Sequence, residues 1–491
     1  MSLLIKGVQV VDGKGGEPYK ADVLVQKNVI SAIGNLKGKK TDRVLDGLGH
    51  YITPGFIDVH NNADHYLSLF NNPAQKNFVK QGITTIIGGH CGSSLAPLLY
   101  GNLESIRKWA DPHDINVDWH TVPELLETLE RISIGLNFGT LVGHSTIRRA
   151  LVGERSRLLQ RELDVFKGVL ERAMRDGAFG FSSGLGYVHG KMASKNEIKE
   201  FVDIVKKFDG VYSVHLRDEG DKILDAVKEI IALVKVSGAK TIISHFRPIK
   251  GFDREFEETL KYINDTENLY FDAYPYDVSV RPLYTLLPDW AQVENIEAML
   301  ERVRTKKTAE LIAGDFKTVP ASEILIGGVP HHEYLVGKSI EDIAKNLGVS
   351  AEKALLHIMD VTDLRAVVFI KDVNEELLKR ALVDEKALIA SHSKGVVPGE
   401  FMVHERSVGT FPKYLNMVVG DGVLSLEEAI SRITYKPAEL FGIKDRGLIK
   451  EGYVADLVVL SKNDYSPKHV VVGGKVFEEE AIKGEALRHK T

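Results

Sequence analysis

Eight short apolar runs lie between residues 55 and 393, separated by amphipathic helical stretches, and that count constrains the fold more than any other feature of the chain. The runs are GFIDVH (55–60), GITTIIGGHC (82–91), GTLVGHS (139–145), GAFGFSSG (177–184), GVYSVHLRDE (210–219), KTIISHF (240–246), LYFDAYPYD (269–277) and ALIASHS (387–393). Strands that alternate with helices build a parallel sheet, and eight such units close a (β/α)8 TIM barrel. Apolar periodicity predicts crossover helices over 158–177 and 221–238, closed by Gly177 and Gly238. The rhythm breaks near 281–337, which predicts an insertion between the last two strands.

A chain of 491 residues is too long for one core. Short β-branched segments punctuated by Gly and Asp occupy both ends, and neither set makes a core alone. They are predicted to join as a small composite β-sandwich from residues 1–54 and 436–491, flanking a barrel over 55–435. Lys and Arg total 63 against 68 Asp and Glu, a formal charge of −5 with no basic stripe, which argues against nucleic acid. No apolar run reaches the roughly 20 residues that span a bilayer, so no membrane partner is expected. The N-terminus lacks a cationic segment followed by an apolar one, and a lone cysteine cannot form an internal disulfide; both point to the cytoplasm. The composition is compatible with an oligomer.

Seven of the eight runs end in or near a polar side chain: His60, Cys91, His144, His215, His245, Asp277 and His392. In a barrel these ends meet on one face, where active sites are built. Cys91 alone reads equally as a small buried hydrophobe. With His215 and His245 it makes a thiolate and two imidazoles, a donor set that suits Zn2+ and leaves a coordination position open.

The segments TPGFIDVH, GGHCGSSLAP, GHSTIRRALVG, GAFGFSSGLGY, VHLRDEG, ISHFRPI, YPYD, VGTFPKYL and KPAELFGIKDRGLIKEGYVADLVVL together resemble the amidohydrolase superfamily, and within it the D-aminoacylase, or N-acyl-D-amino-acid deacylase, branch. The resemblance runs from about residue 3 to residue 475. It implies a zinc-dependent barrel in which metal-bound water attacks the linear amide of a small N-acyl amino acid. It assigns the tight metal to Cys91, His215 and His245, a first-strand ligand to His60, and substrate binding to Arg247, Tyr187 and Tyr276. For Arg247, a carboxylate clamp and a plain salt bridge stay open as alternatives.

Two positions depart from the family pattern. Asn62 stands where the second histidine of a first-strand His-x-His pair is usual, and its amide oxygen is a poor transition-metal ligand, so one zinc per chain is expected. His392 stands where the family carries its general-base aspartate. An imidazole there can serve as acid and base, can become a further metal ligand, or can mark an altered site; Asp64 and His90 are the other candidate bases. The expected function is therefore metal-dependent hydrolysis of N-acyl-D-amino acids. The alternative is a family member that only binds such a ligand or runs a different metal-assisted reaction.

Overall fold

The computed structural model describes residues 2–101, 103–153, 155, 157–292, 295–316, 319–329, 331–396, 402–478 and 483–490. The eight apolar runs each supply a barrel strand: Phe56–Asp58, Ile83–Gly88, Asn137–Thr140 continued by Val142–Gly143, Gly180–Gly184, Val211–His215, Lys240–Ile243, Leu269–Ala273 and Ala387–Ile389. All neighbours in this series pair in parallel. The third strand breaks at Leu141, dividing the ladder into a three-stranded and a six-stranded sheet. Closure comes just beyond the eighth strand, where the His392 amide donates to His60 O at 2.9 Å and the Asn62 amide donates to Ser393 O at 2.7 Å.

The crossovers follow the periodicity. Gln160–Arg175 and Ile223–Ser237 turn Phe166, Leu170 and Met174, and Val227, Ile230 and Val234, onto the sheet. Gly238 ends the second helix with φ +64° while its amide returns to Val234 O at 2.7 Å, a left-handed cap that a residue with a Cβ adopts only at a cost. Inside the barrel, Ile57, Ile87, Leu141, Phe179, Val211, Ile242 and Leu388 pack with Phe441 and Leu487 from after the barrel. One side chain from nearly every strand thus fills the interior below the mouth, as closed barrels of this size require.

The chain ends meet in one eight-stranded sheet that joins strands from residues 2–54 to strands from residues 457–476; His50–Pro54 is paired antiparallel with Leu457–Ser461. Leu3, Ile5, Val10, Val23, Leu457, Val459 and Val471 form its separate core. Asp456 ties this module to the barrel: it accepts from Arg446 Nε at 2.9 Å, from Asn137 Nδ2 on the third strand at 2.8 Å and from the Gly473 amide at 2.7 Å. Asp456→Ala would leave Arg446 as a buried cation with only the exposed Glu485 opposite it. The expected loss is about 3–5 kcal/mol, read as a lower denaturant midpoint.

The excursion between strands seven and eight is longer than its sequence signature. Strands Ser279–Pro282, Ile324–Gly328 and Val367–Ile370 form an antiparallel sheet in the order first, third, second, carried on four helices with its own core around Met299, Ile326, Ile358 and Ile370. It therefore extends past residue 337 to Ile370. The stretch after 337 looks like one more strand–helix unit of the barrel because it is a strand and two helices, Ile340–Leu347 and Ala351–Val361. Among the described residues, no helix is long and apolar enough to cross a membrane.

Candidate metal and catalytic site

Three strand tips bring Cys91, His215 and His245 together, with one donor atom of each within 4.8 Å of the others. Cys91 Sγ lies 3.6 Å from His245 Nε2. The Nδ1 of His215 is buried and has no hydrogen-bond partner, and the two imidazole rings meet edge to face at 4.4 Å. A buried ring nitrogen without a hydrogen-bond partner is costly, and its residue stands in a cluster with a thiol and a second imidazole, where a metal ion would offset that cost. The donor chemistry, N2S, is that of zinc. The residues present thus fit the metal that the sequence implied.

His245 is held from behind. Its Nδ1 lies 2.6 Å from a Glu219 carboxylate oxygen, which turns Nε2 toward Cys91. Arg247 reaches the same carboxylate at 2.8 Å, and it and the two adjacent imidazoles hold Glu219 well below the usual carboxylate range in spite of burial. The guanidinium expected to clamp substrate is therefore already committed to an acid that orients a ligand candidate.

A second cluster adjoins the first. Asp272, fully buried, receives His60 Nδ1 at 3.0 Å, His392 Nε2 at 2.7 Å and the His245 amide at 2.6 Å. Although burial alone would raise this carboxyl, His60 and His392 hold it well below its ordinary range. A carboxylate only accepts, so the proton sits on Nε2 of His392 and on Nδ1 of His60. The Nε2 of His60 then faces Cys91 Sγ at 3.7 Å, and Nδ1 is the His392 nitrogen left over. Cys91, His245 and His392 have φ of 50°, 41° and 49°. Non-glycine residues in left-handed backbone carry strain of roughly 1–3 kcal/mol each, sustained only where the surroundings over-determine them, as at functional sites.

These groups line a pocket of about 290 Å³ whose walls include Tyr187, Trp109, Tyr274, Arg247, Arg281 and Arg406. The Tyr187 ring lies 4.5 Å from that of His215, tilted by 52°. Asn62 reaches the mouth as well, but its Nδ2 donates to His392 O at 3.1 Å.

The structure does not bring every expected residue here. Asp64 lies off the pocket, with its two oxygens accepting from the Gly89 amide at 2.6 Å and the His65 amide at 2.9 Å, so the structure does not bring it to the catalytic mouth. Tyr276 is likewise turned away, its hydroxyl donating to Glu405 O at 3.3 Å and its ring covered by Lys413 Nζ at 3.9 Å. The strand ends at Ala273, so the chain bends before Tyr276 and leaves Tyr274 at the mouth. His90 is stacked on His60 at 3.9 Å, with Ser213 Oγ and Ile87 O at 3.1 Å from its two nitrogens. Asp277, at the end of the seventh run, pairs with Lys371 at 3.5 Å. The acid that matters on this strand is Asp272, a lone charge inside LYFDA, and its position amid apolar neighbours was the signal for it. Arg406 was also unforeseen: it is 8 % exposed, lies 5.2 Å from the Tyr274 ring, and has no acidic partner among the described residues.

The sequence profile described as the amidohydrolase family matches residues 373–477. The D-aminoacylase of Alcaligenes xylosoxydans xylosoxydans is 29% identical over 93% of this chain and 87% of its own. A crystal structure of N-acyl-D-glutamate deacylase from Bordetella bronchiseptica, complexed with zinc and a phosphonate mimic of the tetrahedral intermediate, superposes with a TM-score of 0.83 at 25% identity, covering 99% of both chains. A crystal structure of D-aminoacylase gives 0.81 at 26% identity, again over 99% of each.

Proposed function

We propose, for a chain that belongs to the amidohydrolase superfamily and resembles its D-aminoacylase branch, a hydrolase that uses one metal ion to cut the linear amide of N-acyl-D-amino acids. The observation that carries this reading is the convergence of Cys91, His215 and His245, with one donor atom of each within 4.8 Å of the others, while the buried Nδ1 of His215 has no hydrogen-bond partner. Cys91, His215 and His245 would hold zinc, with His60 Nε2 facing the same space from the first strand. Zinc supplies Lewis-acid polarisation of a carbonyl and lowers the pKa of water to about 7.

The chain's own residues would do the rest. His392, fixed through Nε2 by Asp272, offers Nδ1 to take a proton from the attacking water and return it to the leaving nitrogen. Asp272 supports the imidazolium formed in between, as an acid behind a catalytic histidine does. Arg406, buried with no acidic partner among the described residues, would receive the substrate's α-carboxylate in a bidentate pair. Tyr187 would form a wall beside it, and Arg247 would act through Glu219 to keep His245 oriented. A single metal is favoured because Asn62, which stands where a second first-strand histidine would be, has its Nδ2 tied to the His392 carbonyl, and its amide oxygen is a poor transition-metal ligand.

Metal analysis together with a screen of N-acyl D- and L-amino acids tests the reading. About one zinc per chain with turnover of D-substrates is the expected result. Full metal loading without turnover of either series would refute hydrolysis and favour the binding or altered-reaction alternative. His392→Asn should keep its zinc and lose turnover by about 10²–10⁴-fold, the usual contribution of a positioned acid–base group. Loss of the metal instead would identify His392 as a ligand.

A further inference from the structure

The chain has three tryptophans, and two of them have their indole N–H satisfied. Trp119 donates to Leu95 O at 2.7 Å, and Trp290 donates to a carboxylate oxygen of Asp315 at 2.9 Å. The N–H of Trp109 is buried and has no hydrogen-bond partner among the described residues. Buried tryptophan N–H groups are normally bonded, and one left unmade is a desolvation cost with nothing set against it. The ring itself is held among neighbours: it packs 5.5 Å from the Tyr66 ring and meets Tyr187 edge-on at 6.5 Å. The Lys108 ammonium lies 5.9 Å from its centre and 3.7 Å from that of Tyr187.

Trp109 stands on the wall between the catalytic pocket and a second cavity of about 430 Å³; Tyr66, Val280 and Arg406 are the other residues that line both. Tyr66 joins the two polar members of this throat, since its ring packs on Trp109 and its hydroxyl acts electrostatically on the Arg406 guanidinium. An indole N–H only donates, so whatever it serves must offer an acceptor. An N-acyl amino acid with an apolar side chain offers two: the acyl carbonyl oxygen, which the proposed function places at Cys91, His215 and His245, and the α-carboxylate, which it places at Arg406. A carboxylate has about four lone-pair positions. A bidentate guanidinium fills two of them, and in a desolvated throat the remainder need donors.

We propose that Trp109 is a specificity-determining residue whose N–H is a second donor to the α-carboxylate held by Arg406. The inference rests on the hydrolase reading for the identity of the ligand. Trp109→Phe isolates the role, because it keeps an aromatic ring in the wall and removes only the donor. N-acetyl-D-leucine and N-(3-methylbutyl)acetamide isolate the ligand group in the same way, the second being the first without its carboxylate.

Equilibrium binding of both compounds in a His392→Asn background, where the ligand persists, is the test. Trp109→Phe should weaken N-acetyl-D-leucine roughly tenfold, the factor a charge-assisted hydrogen bond supplies, and leave the decarboxylated compound within about twofold. In isotope-labelled protein, the indole N–H resonance that disappears in Trp109→Phe should move downfield when N-acetyl-D-leucine binds and stay in place with the other compound. Equal losses for the two ligands, no loss for the carboxylate, or an indole resonance unmoved at saturation would each overturn the proposal. Should Trp109→Phe fail to fold, the resonances of the parent protein decide, because one of the three indole signals must respond to the carboxylate ligand alone. A carboxylate-dependent shift without any turnover by the wild type would sink the hydrolase reading and leave the donor role of Trp109 standing.

Discussion

Cys91→Ala is expected to purify with less than about a tenth of the wild-type zinc and to lose turnover by 10³-fold or more. The thiolate is the one anionic donor of the proposed set, and removing it leaves two neutral imidazoles to hold a dication. Lewis-acid catalysis is worth several kcal/mol, and each 1.36 kcal/mol is a factor of ten in rate, so losing the metal removes at least three powers of ten. The fold itself should hardly change. Cys91 is 5 % exposed, and its left-handed backbone suits alanine no worse than cysteine. The metal-free forms of wild type and variant should therefore melt together, and only the zinc-loaded wild type should melt higher, because a ligand that binds the native state stabilises it by mass action. If Cys91 were only a small apolar filler, the substitution would leave metal content and turnover unchanged. That pattern would dismantle the metal site.

Some of this was legible in the sequence, and the division has physical reasons. Barrel strands are apolar on both faces, so a polar residue where the run stops stands out, and His215, His245, Cys91 and His392 were visible for that reason. The composite sheet could be foreseen because neither terminal set of strands buries enough surface alone. Residues that reach the site from irregular segments carry no such mark. Lys108 and Trp109 follow a short helical turn over Glu104–Ile106, and Arg406 starts a helix far along the chain from the eighth strand; neither has a periodicity that reports where it points. Asp64 shows the converse. An acid four residues after a strand-end histidine reads as a base, but whether its oxygens face substrate or backbone amides depends on the path of the loop. The inserted sheet was underestimated because a strand followed by helices has the same local pattern whether it lies in the barrel or beside it.

The carboxylate of Asp272 is where these elements converge, and its replacement should have the second large effect. Asp272→Ala leaves three buried donors without an acceptor: His60 Nδ1, His392 Nε2 and the amide of His245. Each orphaned donor costs about 1–3 kcal/mol. The three share one acceptor, so the penalties do not simply add, and a loss of about 3–5 kcal/mol is expected, with the left-handed turn at His245 no longer pinned. Asp272→Asn is the more informative change. It keeps the volume and one acceptor oxygen, but its amide also donates. Oδ1 takes both the His392 Nε2 proton and the His245 amide, whereas Oδ2 takes only His60 Nδ1, so the asparagine oxygen stays at the first position and the new amide faces His60, which must switch tautomer. His392 keeps Nδ1 free but loses the negative charge that supports its imidazolium. Turnover should fall by about 10²–10⁴-fold with zinc content preserved and the melting temperature lowered far less than in the alanine variant. An Asp272→Asn protein with zinc bound and turnover within about threefold of wild type would mean that no imidazolium at His392 needs that support, and the role given to His392 would have to be withdrawn.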